Sequence, residues 1–235
     1  MSEGQPPKGQ RSRLPAGLLL ALGAASGLGF LFVKLWSEIA EGETHALDSA
    51  LLLALRVNGR PDQPIGPAWL PSVMVTLTDL GGGLVLGMVL IIACGYLLTK
   101  GARISALLLL ASTLSGAFVV VLLKGAFDRA RPDIVEHLVP AQLMSFPSGH
   151  AANSALVYLT IGAIVSDMEK NASTRVYVMA VAILLTLAIG ASRVYLGIHW
   201  PSDVIGGWFF GAAWALACRI GARSLRRRPS LNRMF

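Results

Sequence analysis

The chain has 235 residues, 54% of them apolar and only 14% charged, with a mean hydropathy of +0.62; this balance excludes an ordinary water-soluble domain and points to a protein of the bilayer. The formal net charge of +7 does not mark a nucleic-acid partner, because nine of the 20 Lys and Arg residues sit at the two chain ends beside apolar runs, where such residues act as topology signals. The two cysteines, Cys94 and Cys218, lie far apart inside apolar runs and read as small core residues, with no CxxC or Cys/His spacing that would hold zinc.

Six apolar runs are candidates to cross ~30 Å of hydrocarbon. They cover Pro15 to Trp36, Val73 to Leu98, Ile104 to Phe127, His150 to Val165, Val176 to Ser192 and Val204 to Ile220. The expected fold is therefore all-α, a six-transmembrane helical bundle over residues 15–220, preceded by a segment at 1–14 and followed by a basic tail at 221–235. The fourth and fifth runs are short and are expected either to extend into their flanks or to pack centrally. The first run follows Lys8, Arg11 and Arg13 and ends at Lys34 and Trp36 without a clear small-residue cleavage site, so it reads as a retained helix and not a signal peptide. Between the first two runs, Leu47, Leu51 and Leu55 recur every four residues against Asp48 and Arg56. This period predicts a short amphipathic helix lying at the membrane interface.

Six spans put the N-terminus, Lys100 and Arg103, Lys170 and Arg175, and the tail from Arg219 on one side, which then carries 13 of the 20 basic residues. The other side carries seven, with ten of the 13 acidic residues. The positive-inside rule makes the first side cytoplasmic and places both termini there. The run Arg226, Arg227 and Arg228 is expected to anchor the tail at anionic lipids.

Polar residues that interrupt an apolar chain are informative, because a charge near a span costs ~2.5–3.5 kcal/mol on insertion scales unless it is paired or solvated. They form three clusters. Lys124 to Pro132 ends the third run, with Lys124 and Arg131 two helical turns apart and on one face if the helix continues to Pro132. Ser145 to His150 opens the fourth run, with Ser148 at a helix start whose first-turn N–H groups make an anion site. Ser192 to Asp203 joins the fifth and sixth runs, with Pro201 suited to a first helical turn, His199 just before it and Asp203 just within. All three clusters, and all four histidines (His45, His137, His150 and His199), fall on the extracytoplasmic side of the six-span arrangement.

Taken singly, each cluster has a plainer explanation: snorkelling interface anchors, an unoccupied helix start, a packed histidine. Together they bring three cations, a helix N-terminus, two histidines and a carboxylate to one face. Three fixed cations without enough nearby acid need an anion, and a phosphoryl group is the natural one. Asp79, near the start of the second run, either lines this pocket or is a solvated helix end; Asp128, Arg129 and Asp133 are expected to pair locally beside it.

These residues resemble the type 2 phosphatidic acid phosphatases (PAP2), whose signature is shared with bacterial non-specific acid phosphatases and vanadium haloperoxidases. The signature KxxxxxxRP, PSGH and SRxxxxxHxxxD is matched at Lys124, Arg131 and Pro132, at Pro147 to His150, and at Ser192, Arg193, His199 and Asp203. Eleven specified positions in order make this far more specific than a lone short motif. The resemblance implies that His199 is a nucleophile forming a phosphohistidine, that His150 protonates the leaving oxygen, and that Asp203 holds the His199 ring. It further implies that Lys124, Arg131, Ser148, Gly149 and Arg193 bind the phosphate, with no metal and no cofactor. The partners implied are a lipid phosphate or diphosphate and the bilayer.

The phosphate-gripping residues do not report what the phosphate is attached to. Lipid A phosphate and sphingoid phosphate stay open, while undecaprenyl diphosphate and glycerophospholipid phosphates such as phosphatidate or phosphatidylglycerol phosphate are the candidates favoured by the resemblance. A phosphotransferase using the same histidine would yield phosphorylated acceptor and little free phosphate. A lipid-binding or transport protein would keep its function in His199→Ala.

Overall fold

The computed structural model describes residues 16–141 and 144–226. Each apolar run folds as helix, the one conformation besides a closed barrel that satisfies backbone N–H and C=O groups without water. The helices are α1 (Ala16–Ala40), α2 (His45–Ala54), α3 (Leu70–Asp79), α4 (Gly83–Thr99), α5 (Arg103–Phe127), α6 (Gly149–Met168), α7 (Ala172–Tyr195) and α8 (Pro201–Arg226). Within α6, Ala155–Leu159 widens into a π turn. The fourth and fifth runs do extend into their flanks, to Met168 and from Ala172 to Tyr195. At the start of α7 the Asn171 side chain accepts from the Ser173 N–H at 2.9 Å, an N-cap that sets the boundary.

Among the described residues, α1, α5, α6, α7 and α8 are each long and apolar enough to cross a membrane, and α3 with α4 makes a sixth if the pair is one span. That pair departs from the continuous helix expected over Val73 to Leu98: it bends by 49° between Asp79 and Gly83. The cause is a tight turn in which the Gly81 and Gly82 N–H groups donate to the Thr78 and Asp79 carbonyls, each at 2.9 Å. Gly81 is required by close approach, because a Cβ there would strike the Ile189 side chain and lie 3.3 Å from His150 Cδ2.

The fold is helical apart from a small antiparallel hairpin of Arg56–Val57 and Arg60–Pro64, turned at Gly59 with φ +73°. Two further expectations are corrected. Helix α5 does not reach Pro132. It stops at Phe127, where Asp128 takes the left-handed conformation (φ 47°) and its N–H caps the Lys124 carbonyl. The amphipathic segment is helical, but its faces are reversed from the simple reading. Leu47 and Leu51 point outward at 65% and 45% exposure, whereas Asp48 and Arg56 are buried at 2% and 4%. Polar partners inside the protein outweigh the leucine period, as the ion pairs below show. The segment at 1–14 and the tail residues Arg227 and Arg228 lie outside the described residues; α8 itself runs on to Arg226.

Two packing features set the site. Phe32 and Trp36 of α1 meet Phe127, Phe146 and Phe210, with Trp36 stacked on Phe127 at 4.0 Å and Phe32 on Phe146 at 5.6 Å. This aromatic cluster buries Phe146 completely and fixes the loop that leads into α6. Gly207 and Gly211 of α8 let α6 approach so closely that a Cβ on either would lie 2.8 Å from the Ser148 carbonyl oxygen or 2.5 Å from that of Ala152. The first turns of α6 and α8 are thereby side by side, and the Ser148 N–H donates to the Asp203 carbonyl at 3.0 Å. Cys94 and Cys218 are free thiols, the former with Sγ 3.8 Å from the Ala106 carbonyl in the α4–α5 contact.

Candidate active site

The end of α5, the start of α6 and the link from α7 to α8 meet at one end of the bundle, as the three sequence clusters require. Lys124, on the last turn of α5, donates to the Met144 carbonyl at 2.7 Å and reaches the Ser145 carbonyl at 3.4 Å. It thus ties α5 to the loop preceding α6. Arg131 arrives from the extended segment after α5 and not from a helix face; its Nη1 donates to the Ile198 carbonyl at 2.5 Å and lies 3.3 Å from His199 Nε2. Burial lowers the Arg131 pKa, and Asp203 works the other way. Arg193, buried on the last turn of α7, donates to Thr78 Oγ1 at 2.9 Å. Lys124, Arg131 and Arg193 are all within electrostatic reach of His150, on the first turn of α6.

His199 is almost fully buried, and its two ring nitrogens have different partners. Nδ1 lies 3.3 Å from Asp203 Oδ2 and 3.3 Å from Ser145 Oγ, while Nε2 faces the Arg131 guanidinium. A carboxylate on one side and a pure donor on the other assign the proton to Nδ1 and the lone pair to Nε2. Burial, with Arg131 and Lys124 adding to it, pushes the His199 pKa down to about 3 against the opposing pull of Asp203. Burial and the guanidinium both favour the neutral ring, whose Nε2 lone pair faces Arg131.

Asp203 is completely buried and accepts from every direction. Oδ2 takes the Ser145 hydroxyl at 2.5 Å and the Trp200 N–H at 2.9 Å, and Oδ1 takes Arg129 Nη1 at 2.7 Å. Ser148 stands at the N-cap of α6 in extended conformation, but its hydroxyl does not cap the helix. Ser148 Oγ and Arg193 Nε are both buried without a hydrogen-bond partner. Buried donors of this kind cost ~1–3 kcal/mol each unless something accepts from them, and an oxyanion suits both. Gly149, one residue on, has an open approach from Lys124, whose Cε would be 3.5 Å from an added Cβ.

The structure thus brings together His199, His150, Asp203, Lys124, Arg131, Ser148, Gly149 and Arg193. Asp79 is exposed, and the preceding residue, Thr78, takes the buried place beside Arg193. His45 and His137 stay outside, His45 edge-on to Trp200 at 5.4 Å and His137 with Nε2 on the Pro132 carbonyl at 2.6 Å.

Sequence reasoning missed part of the site. Arg129 does not pair with its neighbours: its Nη2 meets Asp48 Oδ2 at 2.8 Å while Nη1 holds Asp203. Local pairing fails because Asp128 turns the chain left-handed and leaves both Asp128 and Asp133 exposed. Arg56, also unanticipated, donates to the Tyr195 carbonyl at 3.0 Å and so fixes the end of α7. The available signal was an acid at Asp48 inside an otherwise apolar helix, which is costly without a partner.

Helices of membrane-spanning length and a buried histidine–carboxylate pair among three cations define an integral membrane protein built to handle an anionic group. The chain belongs to the PAP2 superfamily, whose family model matches residues 105–226. It is 34% identical over 186 residues to phosphatidylglycerophosphatase B of Bacillus subtilis, a match covering 78% of this chain and 87% of that one. It is 32% identical over 186 residues to a lipid A 1-phosphatase of Rhizobium johnstonii, covering 68% and 72% of the two chains. The crystal structure of a transmembrane PAP2-type phosphatidylglycerolphosphate phosphatase from Bacillus subtilis superimposes with a TM-score of 0.77 at 28% identity, over 87% of this chain and 98% of that one. The chain is accordingly a phosphatase of this family, acting on phosphorylated lipid.

Proposed function

We propose that this protein hydrolyses the phosphomonoester of a glycerophospholipid at the extracytoplasmic face of a bacterial inner membrane, with both termini cytoplasmic and with phosphatidylglycerol phosphate as the first substrate to test. The observation that carries the reading is the His199 ring, polarised between Asp203 and Arg131, beside two buried donors that lack an acceptor. The names of the relatives support the substrate class, and the distribution of Lys and Arg supports the sidedness.

In this reading His199 Nε2 attacks phosphorus as the bond to the lipid oxygen breaks, and His150 gives that oxygen its proton. The alcohol leaves and phosphate stays on Nε2. Water then attacks the phosphohistidine with His150 taking a proton, which releases inorganic phosphate and restores both rings. Asp203 stabilises the positive charge the His199 ring acquires. Lys124, Arg131, Arg193, Ser148 Oγ and the N–H groups around Gly149 hold the equatorial oxygens, the kind of preorganised donor worth ~100- to 1000-fold each. Because these cations belong to the chain, no metal is assigned a step.

The test is phosphate release by purified full-length protein in mixed micelles. Phosphatidylglycerol phosphate, phosphatidate, lipid A 1-phosphate and undecaprenyl diphosphate are compared with excess EDTA. Release that survives EDTA and ranks a glycerophospholipid first is expected. Preference for undecaprenyl diphosphate would replace the substrate assignment, and phosphorylated alcohol in place of free phosphate would replace hydrolysis by transfer.

A further inference from the structure

Behind the nucleophile stands an arrangement that the signature residues do not include. Asp48, on α2, is buried in the bundle: Oδ1 accepts from the Ser202 N–H at 2.9 Å, and Oδ2 accepts from the Ser202 hydroxyl at 2.6 Å. It therefore occupies the N-terminus of α8, where free N–H groups favour a carboxylate, although it belongs to a helix more than 150 residues earlier. The same Oδ2 takes Arg129 Nη2 at 2.8 Å. Arg129 Nη1 in turn bonds Asp203 Oδ1 and Ser202 Oγ, each at 2.7 Å. The guanidinium also lies 5.7 Å from the Trp200 ring centroid, and the Trp200 indole donates to the Ala130 carbonyl at 3.1 Å.

One cation is thus shared by two buried carboxylates, and one of those carboxylates holds the nucleophile. We propose that Arg129 and Asp48 are positioning residues: Asp48 competes with Asp203 for Arg129 and so sets the orientation and effective charge of the carboxylate that holds His199. Neither residue touches the reacting phosphate in this arrangement. The inference rests on the phosphohistidine reading of the site and deepens it.

The electrostatic consequence has a sign that differs between the two residues. The groups facing His199 are Asp203 from α8, Arg131 from the segment after α5, Lys124 from α5 and the Ser145 hydroxyl. Behind Asp203 lie Arg129 and then Asp48. Asp48→Asn leaves Arg129 wholly to Asp203, so less negative charge reaches the ring and protonation of His199 becomes harder. Arg129→Gln removes the positive charge that offsets Asp203, so protonation becomes easier. A purely structural role would reduce folded protein or rate without giving opposite signs.

The experiment measures kcat, KM and the pH dependence of kcat/KM for the full-length protein in phosphatidylglycerol phosphate micelles, comparing wild type, Asp48→Asn, Arg129→Gln and Arg129→Lys. The substrate's own second ionisation, near ~6, is common to all and cancels in the comparison. We expect kcat to fall roughly 10- to 100-fold in Asp48→Asn and Arg129→Gln, the usual loss on removing the partner that orients a ligating or catalytic group. KM should hardly change. The acid limb should move down in Asp48→Asn, up in Arg129→Gln, and stay near wild type in Arg129→Lys. Limbs that stay still or move together, or a loss confined to KM, would overturn the proposal. Should Arg129→Gln fail to elute as a monodisperse species, Asp48→Asn with Arg129→Lys decides: a downward limb in the first alone supports the proposal, and unmoved limbs in both overturn it. Wild type inactive on phosphatidylglycerol phosphate would instead remove the substrate assignment, and the same four proteins are then compared on the lipid that wild type does hydrolyse.

Discussion

Replacing Asp203 by Asn preserves shape while removing one charge, and the structure allows the outcome to be worked out. Oδ2 accepts from Ser145 Oγ, Trp200 N–H and the His199 side, and Oδ1 accepts from Arg129. An amide has one acceptor oxygen, so an NH2 group must face a donor in either orientation. The less damaging choice points the oxygen at Trp200 and His199 and the NH2 at Arg129, whose charge still has Asp48. What is lost is attraction between a carboxylate and the cationic ring 3.3 Å away, about 5 kcal/mol at an effective dielectric of ~20. Arg129 already neutralises part of that field, and the retained hydrogen bond recovers part. Losses of roughly 2.7–4 kcal/mol in transition-state stabilisation, or ~100- to 1000-fold in kcat, follow. The assay is single-turnover phosphate release in detergent micelles, with size-exclusion chromatography as the check on folding. A well-folded Asp203→Asn protein within threefold of wild type would refute the claim that the carboxylate stabilises charge on His199.

Three other outcomes are expected. Ser148→Ala should lower kcat by ~10-fold or more, since a donor to the phosphate is lost. It should leave Tm unchanged or slightly raised, because the hydroxyl is buried without a partner in the folded protein; a lower Tm with unaltered kcat would contradict this. Gly81→Ala should push against Ile189 and the His150 ring, costing ~1–3 kcal/mol of stability and lowering kcat by displacing the leaving-group acid, with thermal unfolding and turnover as the measurements. The pH profile of kcat/KM should be bell-shaped, since one histidine acts unprotonated and the other protonated. Its limb from His199 should lie well below 6.5, because burial favours the neutral ring; a flat profile in a chemistry-limited assay would contradict the division of roles.

The helical spans and the meeting of three clusters at one end were legible because both are short-range properties of the chain. Apolar runs report helices, and the order of spans decides which ends are neighbours. The residues behind the site were not legible for the opposite reason. Asp48 and Arg129 are 81 positions apart in sequence, and neither sits in a spacing that signals contact. Indeed, the Leu47, Leu51 and Leu55 period argued for Asp48 facing water. In a protein whose surroundings are apolar, an outward leucine stripe and an inward carboxylate are compatible, so the usual rule for amphipathic faces inverts. Arg131 lies beside His199 by a route other than the expected helix face, since the helix ends at Phe127 and an extended segment delivers the guanidinium. The need for glycine at the bend was likewise hidden, because the side chain that a Cβ at Gly81 would strike is Ile189 of another helix.

The central claim is that His199 carries the phosphoryl group, and the most direct measurement is rapid acid-free quenching of wild type with lipid labelled in its phosphate, followed by peptide mapping. The account predicts a transient, acid-labile phosphate on the peptide containing His199, formed with a burst of released alcohol and absent in His199→Ala. Turnover of the lipid with no label on that peptide, or a burst that persists in His199→Ala, would contradict it.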